Sequence, residues 1–89
     1  MGRKESFLER AAQTLELPPG LSDLPIIEMV GDKQLRVESH KGILAYGGEE
    51  IHISGGKLII RVRGRGLELQ RMNGAELVIT GSICGIELT

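Results

Sequence analysis

Residues 57–88 nearly repeat themselves, and an internal repeat leaves a chain of this size few architectures. Moving Leu58-Ile59-Ile60 forward by 19 positions lands on Leu77-Val78-Ile79, and the same step carries Gly66-Leu67-Glu68-Leu69 onto Gly85-Ile86-Glu87-Leu88. Each copy holds two short runs in which apolar residues alternate with polar residues or glycine, the period of a strand rather than a helix. Ile51-His52-Ile53 resembles the second half of a copy. The first apolar residues of the runs stand at 51, 58, 67, 77 and 86, with spacings of 7, 9, 10 and 9. Short strands and frequent turns follow, and with them an all-β core.

Two architectures satisfy this pattern. Successive strands can reverse through hairpins into a small antiparallel sandwich or roll. Alternatively each 19-residue unit is one coil of a solenoid, stacked on its neighbour through matching apolar rows. The constant offset favours the solenoid-like stack of short strands, which sets Leu58 and Leu77 in register on one surface. Two clear copies fall short of the roughly three a solenoid normally needs, which favours hairpins.

The rest of the chain adds a helix and more strands. From Ser6, residues Phe7, Leu8, Ala11, Ala12 and Leu15 fall on one face of a helix, with Glu9, Arg10 and Gln13 opposite. Ser6 and Glu9 have the spacing of a capping box. Pro18-Pro19-Gly20 stops the helix by Leu17. Residues 1–25 thus read as an N-terminal helix and proline-rich linker, and 26–89 as the all-β domain. About three turns of helix are marginal alone, so Phe7, Leu8, Ala11 and Leu15 are expected to dock on the sheet or on another protein. Strands are expected around Ile27-Met29, Leu35-Glu38, Ile43-Tyr46 and Ile51-Ile53, with turns at Gly31-Asp32-Lys33, at residues 39–42 and at Gly47-Gly48.

Composition narrows the function classes. With 89 residues, 40% of them hydrophobic, the chain supports one domain with one modest core. Phe7 and Tyr46 are its aromatics and the formal net charge is -1, so the stacking platforms and basic excess of a nucleic-acid binder are missing. Cys84 is the single cysteine, which excludes an internal disulfide and a thiolate-rich zinc site and suits a reducing compartment. No run reaches the roughly 20 apolar residues of a spanning helix, and Met1-Gly2-Arg3-Lys4-Glu5-Ser6 lacks the apolar stretch of a secretory signal. The expectation is a soluble intracellular protein with no membrane span of its own.

No constellation of catalytic residues emerges. Gly55-Gly56-Lys57 and Gly64-Arg65-Gly66 resemble pieces of phosphate loops, but neither leads into a helix and Leu58 stands where Ser or Thr is needed, so turn glycines are the better reading. His40, His52 and Cys84 could gather into a metal site or a Cys-His pair only if the fold converged them, and a small core cysteine with two surface histidines is the simpler reading. Glu49 and Glu50 point to opposite sides of a strand. No catalytic residue, cofactor or metal is expected.

The surface carries more information. With Leu58, Ile60 and Val62 inward, Ile59 projects outward between Lys57 and Arg61, and Val78 repeats that position on the same outer row. Arg61, Arg63 and Arg65 share a face, while Ile86 and Leu88 belong to a last strand with no proline or lysine guarding its edge. Isolated exposed β-branched residues and mixed-charge faces are ordinary. The alternative is a partner or self-association surface made of Ile59, Arg61, Arg63, Val78, Ile86 and Leu88.

Several blocks together resemble a known family: Leu15-Glu16-Leu17-Pro18, Asp23-Leu24-Pro25, Met29-Val30-Gly31, Glu38-Ser39-His40-Lys41-Gly42-Ile43-Leu44 and Leu77-Val78-Ile79-Thr80-Gly81-Ser82-Ile83. In order and spacing they are similar to the YabP/YqfC family of sporulation proteins, the YqfC branch above all. Departures are Ser39, where the family is expected to have asparagine before the histidine, and the arginine-rich residues 61–65. The resemblance implies a non-enzymatic protein of endospore formation in the mother-cell cytoplasm, held at the membrane around the forespore by a membrane-bound, YqfD-like sporulation partner. It implies no catalytic residues, and makes His40-Lys41-Gly42, Gly81 and Gly85 structural. Two functions compete: an adaptor for that partner, and a self-assembling β-solenoid that forms a ring or filament.

Overall fold

The computed structural model describes Leu21 and residues 23–89, and all described secondary structure is β. The expected helix face of Phe7, Leu8, Ala11 and Leu15 lies outside the described residues. Six strands follow in order: β1 (Ile26–Val30), β2 (Gln34–Glu38), β3 (Ile43–Tyr46), β4 (Glu50–Ser54), β5 (Ile59–Met72) and β6 (Glu76–Leu88). They form one open sheet in the order β1-β2-β6-β5-β4-β3, antiparallel at every pairing. Hairpins therefore win over coils, and the solenoid-like stack is overturned.

The repeat nevertheless has a structural meaning. Exchanging β1-β2 with β3-β4, and β6 with β5, leaves the strand order unchanged, as a two-fold axis through the β5–β6 hairpin would require. The register agrees: Ile60 pairs with Leu88, and shifting by 19 (60 + 19 = 79; 88 − 19 = 69) gives Ile79 paired with Leu69. Arg61 with Glu87 maps in the same way onto Thr80 with Glu68. The two copies are thus related by rotation. Leu58 and Leu77 consequently sit in different halves of the sheet, Leu58 beside the Ile59–Ser54 pairing and Leu77 between Val37 and Met72.

Where short strands are expected in the repeat, two long ones run through, because bulges absorb the glycines. Register shifts occur at Arg63/Gly64, Arg65/Glu68 and Leu69/Arg71, and bulges bend strands without ending them. Gly64 and Gly81 make the bend possible. A Cβ on Gly64 would stand 2.1 Å from the Ser82 carbonyl oxygen, and one on Gly81 would stand 2.7 Å from that of Gly66, at a φ of +141°.

The bend folds the sheet into two layers. The β1 layer holds β1, β2, residues 76–80 of β6 and residues 68–72 of β5; the β3 layer holds β3, β4, residues 59–63 of β5 and residues 85–88 of β6. Leu35, Val37, Leu77 and Ile79 from the first meet Ile51, Ile53, Ile60 and Val62 from the second in one cluster, with Leu67 and Ile83 at the bend. Fully burying such aliphatic side chains is worth roughly 1.5–3 kcal/mol each, against about 0–1 kcal/mol for a surface ion pair. The shared core, not the charged faces, holds the layers together.

Candidate interaction surfaces

Each layer turns a charged outer face to solvent, and the two are neutralised to different degrees. On the β1 layer, register places Glu28, Arg36, Val78 and Arg71 in one row across four strands. Arg36 Nη1 donates to Glu28 Oε1 at 3.3 Å, and its Nη2 donates to Glu76 Oε1 at 3.1 Å and to Glu38. Arg71 Nη2 donates to Glu76 Oε2 at 2.8 Å. The hydrogen bond from Arg36, joined by that from Arg71, holds the Glu76 carboxyl below the ordinary carboxylate range, and the same carboxylate raises the Arg36 guanidinium. Val78 faces this outer side but is only 7% exposed, between Arg36 and Arg71. Two long side chains at its flanks can shelter it along their aliphatic stems. Its expected place on an exposed row shared with Ile59 is therefore wrong, since Ile59 is half-buried in the other layer.

The β3 layer's outer face sets arginines beside acids without close ion pairs to the arginines among the described residues. Arg61 lies between His52 and Glu87 in register, and Arg63 between Glu50 and Gly85. Among the described residues, none of Arg61, Arg63 and Arg65 has a carboxylate oxygen within 4.0 Å. Arg61 Nε is buried with no hydrogen-bond partner, and so is His52 Nε2, which lies 3.5 Å from Glu50 Oε1. Buried donors without acceptors are uncommon in folded proteins.

The expected edge at Ile86 and Leu88 is real but differently placed. β6 is an inner strand, yet β2 pairs only with its residues 76–80, so beyond the bend it has β5 as its one neighbour among the described residues. Leu88 is 57% exposed there and Ile86 half-buried.

His40, His52 and Cys84 lie on separate elements, in the β2–β3 connection, β4 and β6. His40 is the one buried polar side chain among the described residues. Its Nε2 donates to the Asn73 carbonyl at 2.8 Å and its Nδ1 accepts the Gly42 N–H at 2.9 Å, clasping the β2–β3 connection to the β5–β6 turn. Asn73 Oδ1 caps that turn by accepting the N–H groups of Ala75 and Glu76. Ser39, whose N–H donates to the Ala75 carbonyl at 2.7 Å, has a φ of +65°. Asparagine tolerates that left-handed conformation far better than serine. Cys84 is exposed at the register shift in β6, contrary to its expected burial. No group of three or more His, Cys, Asp or Glu among the described residues is arranged to hold a metal.

Comparison with known proteins agrees with the sequence blocks. The model of the YabP family matches residues 24–89. YqfC of Bacillus subtilis (strain 168) is 32% identical over 84 residues, covering 91% of this chain and 85% of the relative. The chain belongs to the YabP family. No solved structure matches it. The match begins two residues before β1 and spans the whole YabP-family sheet, including the Ser39-His40 clasp and both bend glycines, Gly64 and Gly81. Among the described residues no helix is long and apolar enough to cross a membrane.

Proposed function

We propose that this YabP-family protein is a non-enzymatic adaptor of endospore formation, carrying a membrane-bound, YqfD-like sporulation partner on the outer face of its β3 layer. It works in the mother-cell cytoplasm and reaches the membrane around the forespore through that partner. The observation that supports this reading is that the arginines of this face form no close ion pair among the described residues. Arg61, Arg63 and Arg65 have no carboxylate partner among the described residues, while the equivalent face of the other layer is neutralised by Glu28, Glu38 and Glu76. Such a face suits an acidic segment, and matched potentials across an interface steer encounter and fix orientation. The orphaned Arg61 Nε gives an incoming carboxylate a donor to satisfy once the side chain turns outward.

The test is a photoreactive residue at position 59, introduced into the protein in sporulating cells. A crosslink to a membrane protein, lost on Arg61→Glu, is the expected result. Recovery of no envelope protein, with normal spores after deletion of the gene, removes the adaptor. The competing solenoid ring or filament has lost its structural basis, because the two copies of the repeat do not stack by translation.

A further inference from the structure

We propose that the open edge of β6 takes a second copy of this chain, pairing antiparallel about Ile86 to give a closed two-fold dimer with one continuous eight-stranded sheet.

The two-fold symmetry inside the chain makes the edge stand out. In the β1 layer, the half-strand at the margin is capped: Leu67 N–H donates to the Gly48 carbonyl at 2.8 Å and Leu69 N–H to the Tyr46 hydroxyl at 3.1 Å. Its mates 19 positions on are Ile86 and Leu88, whose outward groups have no such cap among the described residues. Their orientation follows from the ladder. Ile59 and Thr89 exchange both backbone hydrogen bonds at 2.9 and 3.0 Å, so Thr89, Glu87 and Gly85 turn their N–H and C=O toward β5. Ile86 and Leu88 therefore turn theirs outward, where another strand can take them.

Charge selects both the occupant and the register. Pairing centred on Glu87 would set two Glu87 carboxylates directly opposite, which is destabilising. Pairing centred on Ile86 sets Glu87 of the second copy opposite Gly85. The Arg63 guanidinium already lies over Gly85, with Nη2 3.6 Å from where a Cβ would stand, so it extends toward the open edge. Two strand spacings, about 10 Å, separate the backbones of Arg63 and Glu87 of the second copy, a gap these two long side chains span across the bare glycine. The two-fold repeats the pair. On the inner side Ile86 meets its own copy, and the exposed Leu88 gains cover. The interface is isologous, so it closes at two and builds no filament.

The experiment measures the mass of the full chain in solution by light scattering after size exclusion, over a concentration series. A dimer is expected. Arg63→Glu weakens its association by roughly tenfold or more, and adding Glu87→Arg restores it. In a Cys84→Ser background, Ile86→Cys links two copies on oxidation. Leu88→Cys does not, because its two copies stand about 14 Å apart in this register. A chain that stays monomeric at millimolar concentration overturns the proposal, as does a dimer indifferent to the charge swap or one that links through position 88 instead of 86. These readouts need no sporulation partner, so they stand or fall apart from the adaptor reading.

Discussion

In the β1 layer, the marginal half-strand of β5 ends under the β3–β4 hairpin, its amides taken by Gly48 and the Tyr46 hydroxyl, and the outer face is tied by Arg36 to three carboxylates. In the β3 layer, the corresponding half-strand of β6 has no cap among the described residues, and its arginines have no carboxylate partners there. Both layers fill the same core with the same kinds of side chain. Their difference is confined to margins and faces, where substitutions cost little stability, so one layer can be closed for structure while its twin is left available for binding. Duplicated architecture thus lets one half be closed while its twin keeps an edge and arginines without partners among the described residues, all within one sheet.

The two layers depend most on the bend that joins them. Gly64→Ala forces a methyl to 2.1 Å from a backbone oxygen. Destabilisation above about 3 kcal/mol, or failure to fold, is expected in denaturant titration. A mild effect would mean that the layers are not coupled through this crossing.

Acid should distinguish the two faces next. Because Glu76 titrates below its ordinary 4.5 in the folded chain, its contribution to stability is complete above that value and is lost as pH falls through the lowered folded value. Replacing Arg36 with methionine removes that part of the acid dependence of Tm. Arg61→Met, at a side chain with no carboxylate oxygen within 4.0 Å among the described residues, should leave the acid limb unchanged. Equal flattening by both would erase the contrast.

A smaller effect is expected where the β1 layer is capped. Tyr46→Phe takes the acceptor from the Leu69 amide, costing about 0.5–1.5 kcal/mol and speeding hydrogen exchange at Leu69. Exchange at Ile86 and Leu88 should already be fast in dilute, monomeric protein. Protection there as strong as at Leu69 would deny the asymmetry.

The smallest change is a gain. Ser39→Asn suits the φ of +65° and should stabilise by about 0.5 kcal/mol, a fraction of the cost of a left-handed residue, seen as a modest rise in Tm. A loss would mean that the serine hydroxyl matters more than the backbone strain.

Much of this was legible along the chain. Alternation alone places Leu35, Val37, Ile51, Ile53, Ile60 and Val62 inward, since a strand's side-chain period leaves one face for the core. The 19-residue offset locates β5 and β6. An offset, however, has no direction: translation and two-fold rotation both carry residue 60 to 79, and only pairing through space chooses between them. The same limit explains Val78, sheltered between arginines 42 positions before it (78 − 36) and 7 before it (78 − 71). It explains His40 too, whose burial depends on a carbonyl at Asn73 that nothing local to the histidine announces. Along a regular strand, alternation separates the core face from the water face, because that choice is made one strand at a time; Val78, His40 and Cys84 depart from it. Which margin is closed, which arginines are matched and which edge is open were decided by the tertiary structure, because each depends on what distant strands bring alongside.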